Sequence, residues 1–427
     1  MKYHSKLISI FAFCFVLMSS AFAQYTESLV YSFGGVSHDP SGPSTALVMD
    51  AAGNLYGATG TGGAISEGAI YELTPSGSGW TETNIFNFIG GSEPGEPSGA
   101  IIFDAAGNIY GVSQVGGVNN KGTVYELSPT SSGYVLTNQY NFLGGSDGNW
   151  PTGNLAFDAN GNIYGTTFQG GGGTGESCFN GCGTVFQITP SSSGWTEKVI
   201  YAFAGGADGA SPGGNLLVDK LGSVYGGATT GGSTACGANG CGTIFRLIPN
   251  AGSWHFAVIH SFQGKVGGAV PVSLAFDSAN NIIGAAQNGG SVCTTGAGCG
   301  LIFKLTRPTG SGFWKETVLH PFTAKNDGQL PGAVTLDSNG NIFGTCFFGP
   351  WNGEGVVWEL SPSGASYTFS VLAGFSNTTA DGGLPDAGVI VDSHGNLFGT
   401  ASSGGQFDHG AVFELSPTTS TIEQKNE

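Results

Sequence analysis

Basic residues are scarce in this chain. Lys and Arg together number 12 in 427 residues, against 29 Asp and Glu, and the formal charge is −17. Phosphate backbones and anionic lipid surfaces demand clustered cations, so neither nucleic acid nor a membrane surface is an expected partner. Charge of either sign is thin, at 10% of residues. Helical periodicity is missing as well, since no extended i, i+3, i+4 apolar pattern follows residue 23. Beyond that point no apolar run is long enough to span a bilayer. What abounds is glycine, 77 residues, in a chain that is 40% hydrophobic with 29 Phe. Disordered Gly-rich chains are poor in apolar side chains, so this mixture predicts many short strands and tight turns instead.

The first 23 residues read as an export signal. Lys2 and Lys6 supply the positive start, LISIFAFCFVLM the apolar stretch, and Ala21-Phe22-Ala23 the small-x-small cleavage pattern. An uncleaved anchor is the alternative, but an apolar run of about 12 residues falls short of the roughly 20 that cross a bilayer. Cleavage after Ala23 removes two lysines and no acid, taking the charge from −17 to −19. The expected location is secreted, outside the cell.

Seven near-copies of one phrase run through the remainder. DAAGNLYG begins at Asp50 and DAAGNIYG at Asp104; the others begin at Asp158, Asp219, Asp277, Asp337 and Asp392. An Asp side chain can accept bonds from backbone N–H groups further round such a turn, and Gly tolerates the left-handed conformation that follows. Where this Gly is absent, at Asn280, the replacement is the next-best occupant of that conformation. The seven aspartates are therefore expected as turn caps, with calcium ligation as the rival that turn chemistry makes unnecessary.

Aligned on these turns, the chain divides into units of 54–61 residues, each with four strand-like runs. The third run alternates, as in GTVYELS, GTIFRLI and GLIFKLT, and its variable polar position reads as a solvated face. The first run is apolar on both sides and belongs in the middle of an assembly. The fourth opens on an aromatic (Trp80, Tyr134, Trp195, Trp254, Trp314, Tyr367) and ends in Phe33, Phe88, Phe142, Phe203, Phe262, Phe322 or Phe375. An aromatic recurring at one place in each unit suits packing between neighbours better than sugar stacking.

These units predict an all-β fold, a seven-bladed β-propeller of four-stranded antiparallel blades. The segment QYTESLVYSF matches a fourth strand, and the last unit stops after three. The N-terminal strand should therefore pair with the last blade and close the ring, leaving no open edge. The expected organisation is 1–23 signal peptide, 24–417 propeller and 418–427 short polar tail, in a monomer.

The phrases YAFAGGADGASPGGNLLVD, GNIYGTTFQGGG and NGCGTVFQITP resemble the bacterial Gloeo/Verruco-type (GloVer) tandem repeat of secreted choice-of-anchor proteins. The likeness covers essentially the whole chain after the leader. It implies a C-terminal sorting segment, but this chain ends STIEQKNE, without an apolar tail or basic finish, so a freely released protein is expected.

Cys14 lies in the leader, and six of the other seven cysteines form close pairs: Cys178 with Cys182, Cys236 with Cys241, Cys293 with Cys299. In an exported chain these read as local disulfides in the loops before the third strands of blades three to five. Metal binding is the rival, and the gaps do not fit the usual C-x-x-C spacing. Cys346 stands where other units carry Thr, Ser or Ala and reads as a small buried thiol.

In this strand order the inter-blade loops and the loops between second and third strands share one rim. That rim collects the acidic loops (Asp147, Asp208, Asp327, Asp381), the disulfide loops and the insert CFFGPWNGEG. Phe347, Phe348 and Trp351 read as aromatics without counterparts in other blades, suited to a sugar face or a protein partner, with local packing as the alternative. The inner-strand positions four before each turn Asp are Ala46, Ala100, Asn154, Asn215, Ser273, Ala333 and Gly388, none ionisable. Asp386 is a single acid at an inner-strand start, and His260 and His320 fall at a Tyr position of the repeat. No catalytic residue, metal or cofactor is expected. The function read from the sequence is a non-catalytic binding or scaffold protein with a glycan or cell-surface protein as ligand. The alternatives are a metal-assisted lyase or hydrolase, or a structural matrix component.

Overall fold

In a computed structural model, residues 25–418 are described except 78, 176–177, 179, 192–193, 291–292, 294–297, 311 and 351–352. The expected signal peptide, most of the polar tail and Trp351 lie outside the described residues. Among the described residues, no helix is long and apolar enough to cross a membrane.

Blade two shows the plan. Its strands, Pro94–Phe103, Ile109–Gly116, Thr123–Thr130 and Gly133–Asn141, pair antiparallel in chain order from the channel outward. Blades one and three to six repeat it. Blade seven takes Ile390–Val391, Leu397–Ala401 and Ala411–Pro417 from one end of the chain and Tyr25–Ser32 from the other. The closing register runs from Tyr25 opposite Pro417 to Ser32 opposite Ala411. The protein is a seven-bladed propeller closed by its N-terminal strand.

The turn aspartates do what their spacing predicts. Asp158 Oδ1 accepts from the backbone of Asn160 (2.8 Å) and Asn162 (3.0 Å), while Oδ2 accepts from the Asn162 amide (2.7 Å) and the Tyr164 hydroxyl (3.0 Å). With both oxygens occupied by donors of its own turn, this carboxylate is spent on structure. Asn280 adopts φ 59°, as its place in the turn requires. Burial alone would raise the pKa of Asp50, Asp104 and Asp158; the side-chain and backbone bonds from the turn outweigh it and lower all three.

The polar position of the third strand is a correction. It is not a solvated face, because Glu126 is only 8% exposed and its counterparts in the other blades are half-buried. These side chains tie the strand to its neighbour and to the turn beside it: Tyr56 of the adjacent second strand donates to Glu72 at 2.8 Å, and Lys304 reaches the turn residue Asp277 at 2.8 Å.

Two sets of contacts hold blade to blade. Each terminal Phe of a fourth strand packs on the third-strand aromatic of the next blade, from Phe33 on Tyr71 (4.8 Å between centroids) to Phe375 on Phe413 (4.9 Å). These seven Phe are at most 1% exposed, and full burial of such a ring is worth about 2–3 kcal/mol. The aromatic at the start of the fourth strand packs on the preceding blade, as Trp195 on Tyr110 and Trp254 on Tyr164.

The second set lies at the loop end of the seams. In every blade the residue before the first-strand proline has positive φ: Gly42, Glu96, Trp150, Ser211, Val270, Leu330 and Leu384, at 48–61°. Residues before proline ordinarily avoid the helical wells, and a left-handed side chain costs about 1–2 kcal/mol. The compensation is a latch. Val270 N–H donates to the Cys241 carbonyl of the preceding blade (3.0 Å), and Trp150 does the same to Lys121 (3.1 Å). The following Pro ring then lies against a third-strand glycine of that blade, Pro271 on Gly242 and Pro43 on Gly410, with no room for a Cβ between them.

Candidate functional site

The channel is an unpromising place for chemistry. Its cavity of about 220 Å³ is lined by all seven small inner-strand residues, from Ala46 to Gly388. The amides there bond between blades: Asn154 Oδ1 accepts from Ala100 N–H (2.7 Å), and Asn215 bonds both backbone groups of Leu274 (2.7 and 2.9 Å). Asp386 precedes the channel-lining Ala387 on the loop-rim side. Its carboxyl is reached by solvent yet crowded enough that desolvation raises its pKa.

The loop rim is different. Among the described residues, clefts open on it of about 550 Å³ between blades seven and one, 530 Å³ between one and two, and 490 Å³ between four and five. Exposed large apolar side chains gather there too: Val36, Ile65, Ile89, Val118, Leu143, Trp150, Val266 and Phe407. The opposite rim carries Leu221 and Phe313 among the described residues. Sequence reasoning identifies this rim but misses these residues, which sit at slightly different offsets in successive loops.

The acidic loop residues face inward. Asp147 accepts from Tyr140 (2.7 Å) and Leu143 N–H (2.6 Å), and Asp208 from Tyr201 (2.9 Å) and Ala204 N–H (2.8 Å). Asp327, 8% exposed, takes His320 (3.2 Å) and Thr323; Asp381 takes Ser376 and Thr378. Their carboxylates cap their own loops. His320 also stacks on Phe369 at 3.9 Å, and His260 packs edge-on to Phe262, so both serve as packing residues.

Phe347 and Phe348 are half-buried, their rings in edge contact at 4.8 Å. Phe347 does have a counterpart: Phe168 occupies the same place in blade three, in edge contact with the exposed Trp150. The two aromatic groups belong to blades three and six and do not form one surface.

All three cysteine pairs are disulfides, with Cα separations of 4.7, 5.2 and 5.4 Å. Cys346 is a buried free thiol. The Cys182 and Cys241 carbonyls accept the latch bonds of Ser211 and Val270. Two of the disulfides therefore brace the inter-blade latch as well as their own loops. Among the described residues, no group of three His, Cys, Asp or Glu side chains is disposed to hold a metal ion.

A further pattern lies on the outer seams. Two residues after the fourth-strand aromatic stands Glu27, Glu82, Glu197 or Glu316, or in other blades Phe256 and Phe369, which stack on Tyr201 and His320. Each of the four Glu has a buried Oε1 without a partner. Burial, with Asp381, Asp39 or Asp147 adding to it at Glu27, Glu82 and Glu197, pushes all four pKa values up to about 7.

The Gloeobacter/Verrucomicrobia repeat matches residues 16–238 and again 233–425. The chain belongs to this family. No curated protein matches it by sequence. Among solved structures, it resembles the extracellular domain of the putative hybrid two component system BT4673 from B. thetaiotaomicron, at 10% identity and TM-score 0.55, over 92% of this chain and 40% of that one. PorZ, a surface component of the type-IX secretion system of Porphyromonas gingivalis, aligns at 14% identity and TM-score 0.51, over 88% and 47%. A gluconolactonase from Xanthomonas campestris aligns at 13% identity over 82% of this chain and 90% of its own, but a TM-score of 0.42 is too loose to bear on function. At such identities the first two likenesses concern the fold alone.

Proposed function

We propose that this GloVer-repeat propeller is an exported, non-catalytic binding protein that engages a glycan or a cell-surface protein through its loop rim. The observation that carries this is the asymmetry of the two rims. Exposed apolar side chains and open clefts gather on the face where a rigid scaffold presents its variable loops. The small, amide-laced channel supports a non-catalytic role. Three disulfides suit an oxidising compartment, and the 1–23 segment supplies a route to it.

The test is binding of the labelled full chain to a glycan array and to bacterial cells before and after protease shaving. Signal on either, lost when Val118→Glu or Leu143→Glu is introduced and kept in Leu221→Glu, is the expected result. A folded chain that binds neither, or that loses binding only through Leu221→Glu, overturns the proposal.

A further inference from the structure

Among the described residues, six of the eight exposed large apolar side chains on this rim fall on three consecutive blades. In three consecutive blades a 2–3 loop and the following inter-blade loop each present one: Phe407 with Val36, Ile65 with Ile89, and Val118 with Leu143. Their exposures run from 43% to 75%. Beyond them, in blades three to five, the corresponding 2–3 loops are the disulfide loops.

The loops that carry these pairs are pinned. Gln406 N–H donates to Ser32 Oγ (3.2 Å), Ala64 N–H to Asn87 Oδ1 (2.8 Å), and Val118 N–H to Asn141 Oδ1 (3.2 Å). In each blade the end of the fourth strand holds the adjoining 2–3 loop in place. Phe407 also lies directly against Gly35, next to Val36. A surface fixed in this way loses little side-chain and loop entropy when a partner binds. The clefts of about 550 and 530 Å³ fall within this arc.

Its charge is one-sided. Glu67, Glu93, Glu96 and Asp408 stand on these loops against the single cation Lys121, and among the described residues none of the four is in an ion pair. Five of the six apolar side chains are aliphatic. Aliphatic groups offer no π-face to a sugar ring, whereas they fit the apolar side chains of a polypeptide. A second copy of so acidic a chain would bring like charge to an acidic face.

We infer that the loop rim over blades seven, one and two is a docking surface for a basic polypeptide segment bearing apolar side chains. This rests on the rim being the binding face and specifies which part binds and what it takes. The apolar pairs supply contact area, and the unpaired carboxylates steer and select a cationic partner.

The test uses the full chain and short labelled peptides in fluorescence anisotropy: alternating Lys and Leu as probe, with alternating Lys and Ser, and Glu and Leu, as controls. The Lys–Leu peptide is expected to bind, and to weaken at least about tenfold in the double variant Ile89→Ser/Leu143→Ser. It should weaken again in Glu96→Lys and be unchanged in Leu221→Ser on the far rim, with thermal melts confirming folding. Equal binding of the Lys–Ser peptide reduces the effect to bulk charge and overturns the inference, as does no binding of the Lys–Leu peptide. Cell or glycan binding that depends on Trp150 or the disulfide loops, and not on Ile89 and Leu143, also overturns it while leaving the rim as the binding face. Loss of every binding signal on cells and glycans removes both.

Discussion

Pro43 of blade one lies against Gly410 of blade seven, its Cδ only 2.6 Å from where a Cβ on that glycine would stand. The same Pro-on-Gly contact recurs at all seven seams, so the join between the chain's two ends is built like every other seam.

Filling one of these contacts should therefore be costly. Gly242 has φ +89°, and a Cβ there would meet the Ala228 carbonyl and Pro271 Cδ, both at 2.6 Å. Gly53 has nearly the same φ, +86°, with nothing within 4 Å. Gly53→Ala carries the left-handed penalty alone, about 1 kcal/mol. Gly242→Ala adds displacement of backbone at a seam and should cost about 3 kcal/mol or more. Urea melts of the two variants should separate them clearly; equal losses would show that the seam has slack.

The outer-seam carboxyls set a pH dependence. Glu27, Glu82, Glu197 and Glu316 have folded pKa values raised to about 7 from 4.5, so the folded state holds their protons more tightly than the unfolded state. Their stabilisation is complete below about pH 4.5 and is lost as pH rises through 7. His260, lowered to about 4 by burial, acts in the opposite sense between about pH 4 and 6.5, but it is one group against four. Asp50, Asp104 and Asp158 have lowered values, so their contribution is present above about pH 4 and lost in stronger acid. The melting temperature should peak in mild acid and decline towards pH 8. Glu197→Gln should flatten that decline and stabilise the protein at pH 8 by ~1–2 kcal/mol, allowing for partial exposure. A melting temperature rising steadily from pH 5 to 8 would contradict this.

Closure by the N-terminal strand makes Phe33 a keystone. It is fully buried, in edge contact with Tyr71 of blade one, and its N–H donates to the Gly410 carbonyl of blade seven (3.0 Å). Phe33→Ala should cost about 3–5 kcal/mol, comparable to Phe203→Ala in mid-ring. Proteolysis should then begin at the junction of blades seven and one. Phe33→Ala melting like the wild type would mean that the ring does not depend on this join.

Reduction of the disulfides should cost little and act locally. Each closes a very short loop, worth about 2 kcal/mol by loop entropy. Mild reductant should lower the melting temperature modestly. Hydrogen exchange should rise first at Ser211 and Val270, whose N–H groups bond to Cys182 and Cys241. A uniform rise across all blades would refute that role.

Repetition decides what can be read from the sequence. The D-x-x-G-N turns and the terminal Phe residues stand at fixed places in every unit, so blade number, strand order and the closing strand follow from spacing. The latch is repeated as faithfully, yet the sequence does not reveal it. Val-Pro at 270–271 and Trp-Pro at 150–151 locally favour extended backbone, and only a carbonyl from the neighbouring blade draws the first residue into the left-handed well. The polar third-strand position misleads for a related reason, because its partner lies on an adjacent strand. The counterpart of Phe347 is legible in the spacing yet missed, since Phe168 follows Asp158 by ten residues as Phe347 follows Asp337. The apolar arc escapes because Val36 follows Phe33 by three residues while Ile89 directly follows Phe88. The available clue is an apolar residue just after a Gly-Gly pair, as at Val118.

A strand borrowed from the far end of the chain also orders events in time. Tyr25–Ser32 is among the first of these residues to be synthesised, and its partner Ala411–Pro417 among the last. Until the seventh unit arrives, that first strand has no sheet to join and the growing stack ends in a bare edge. Assembly is therefore completed in a single late step, and a chain cut short anywhere before residue 417 would present an adhesive border instead of a finished wheel.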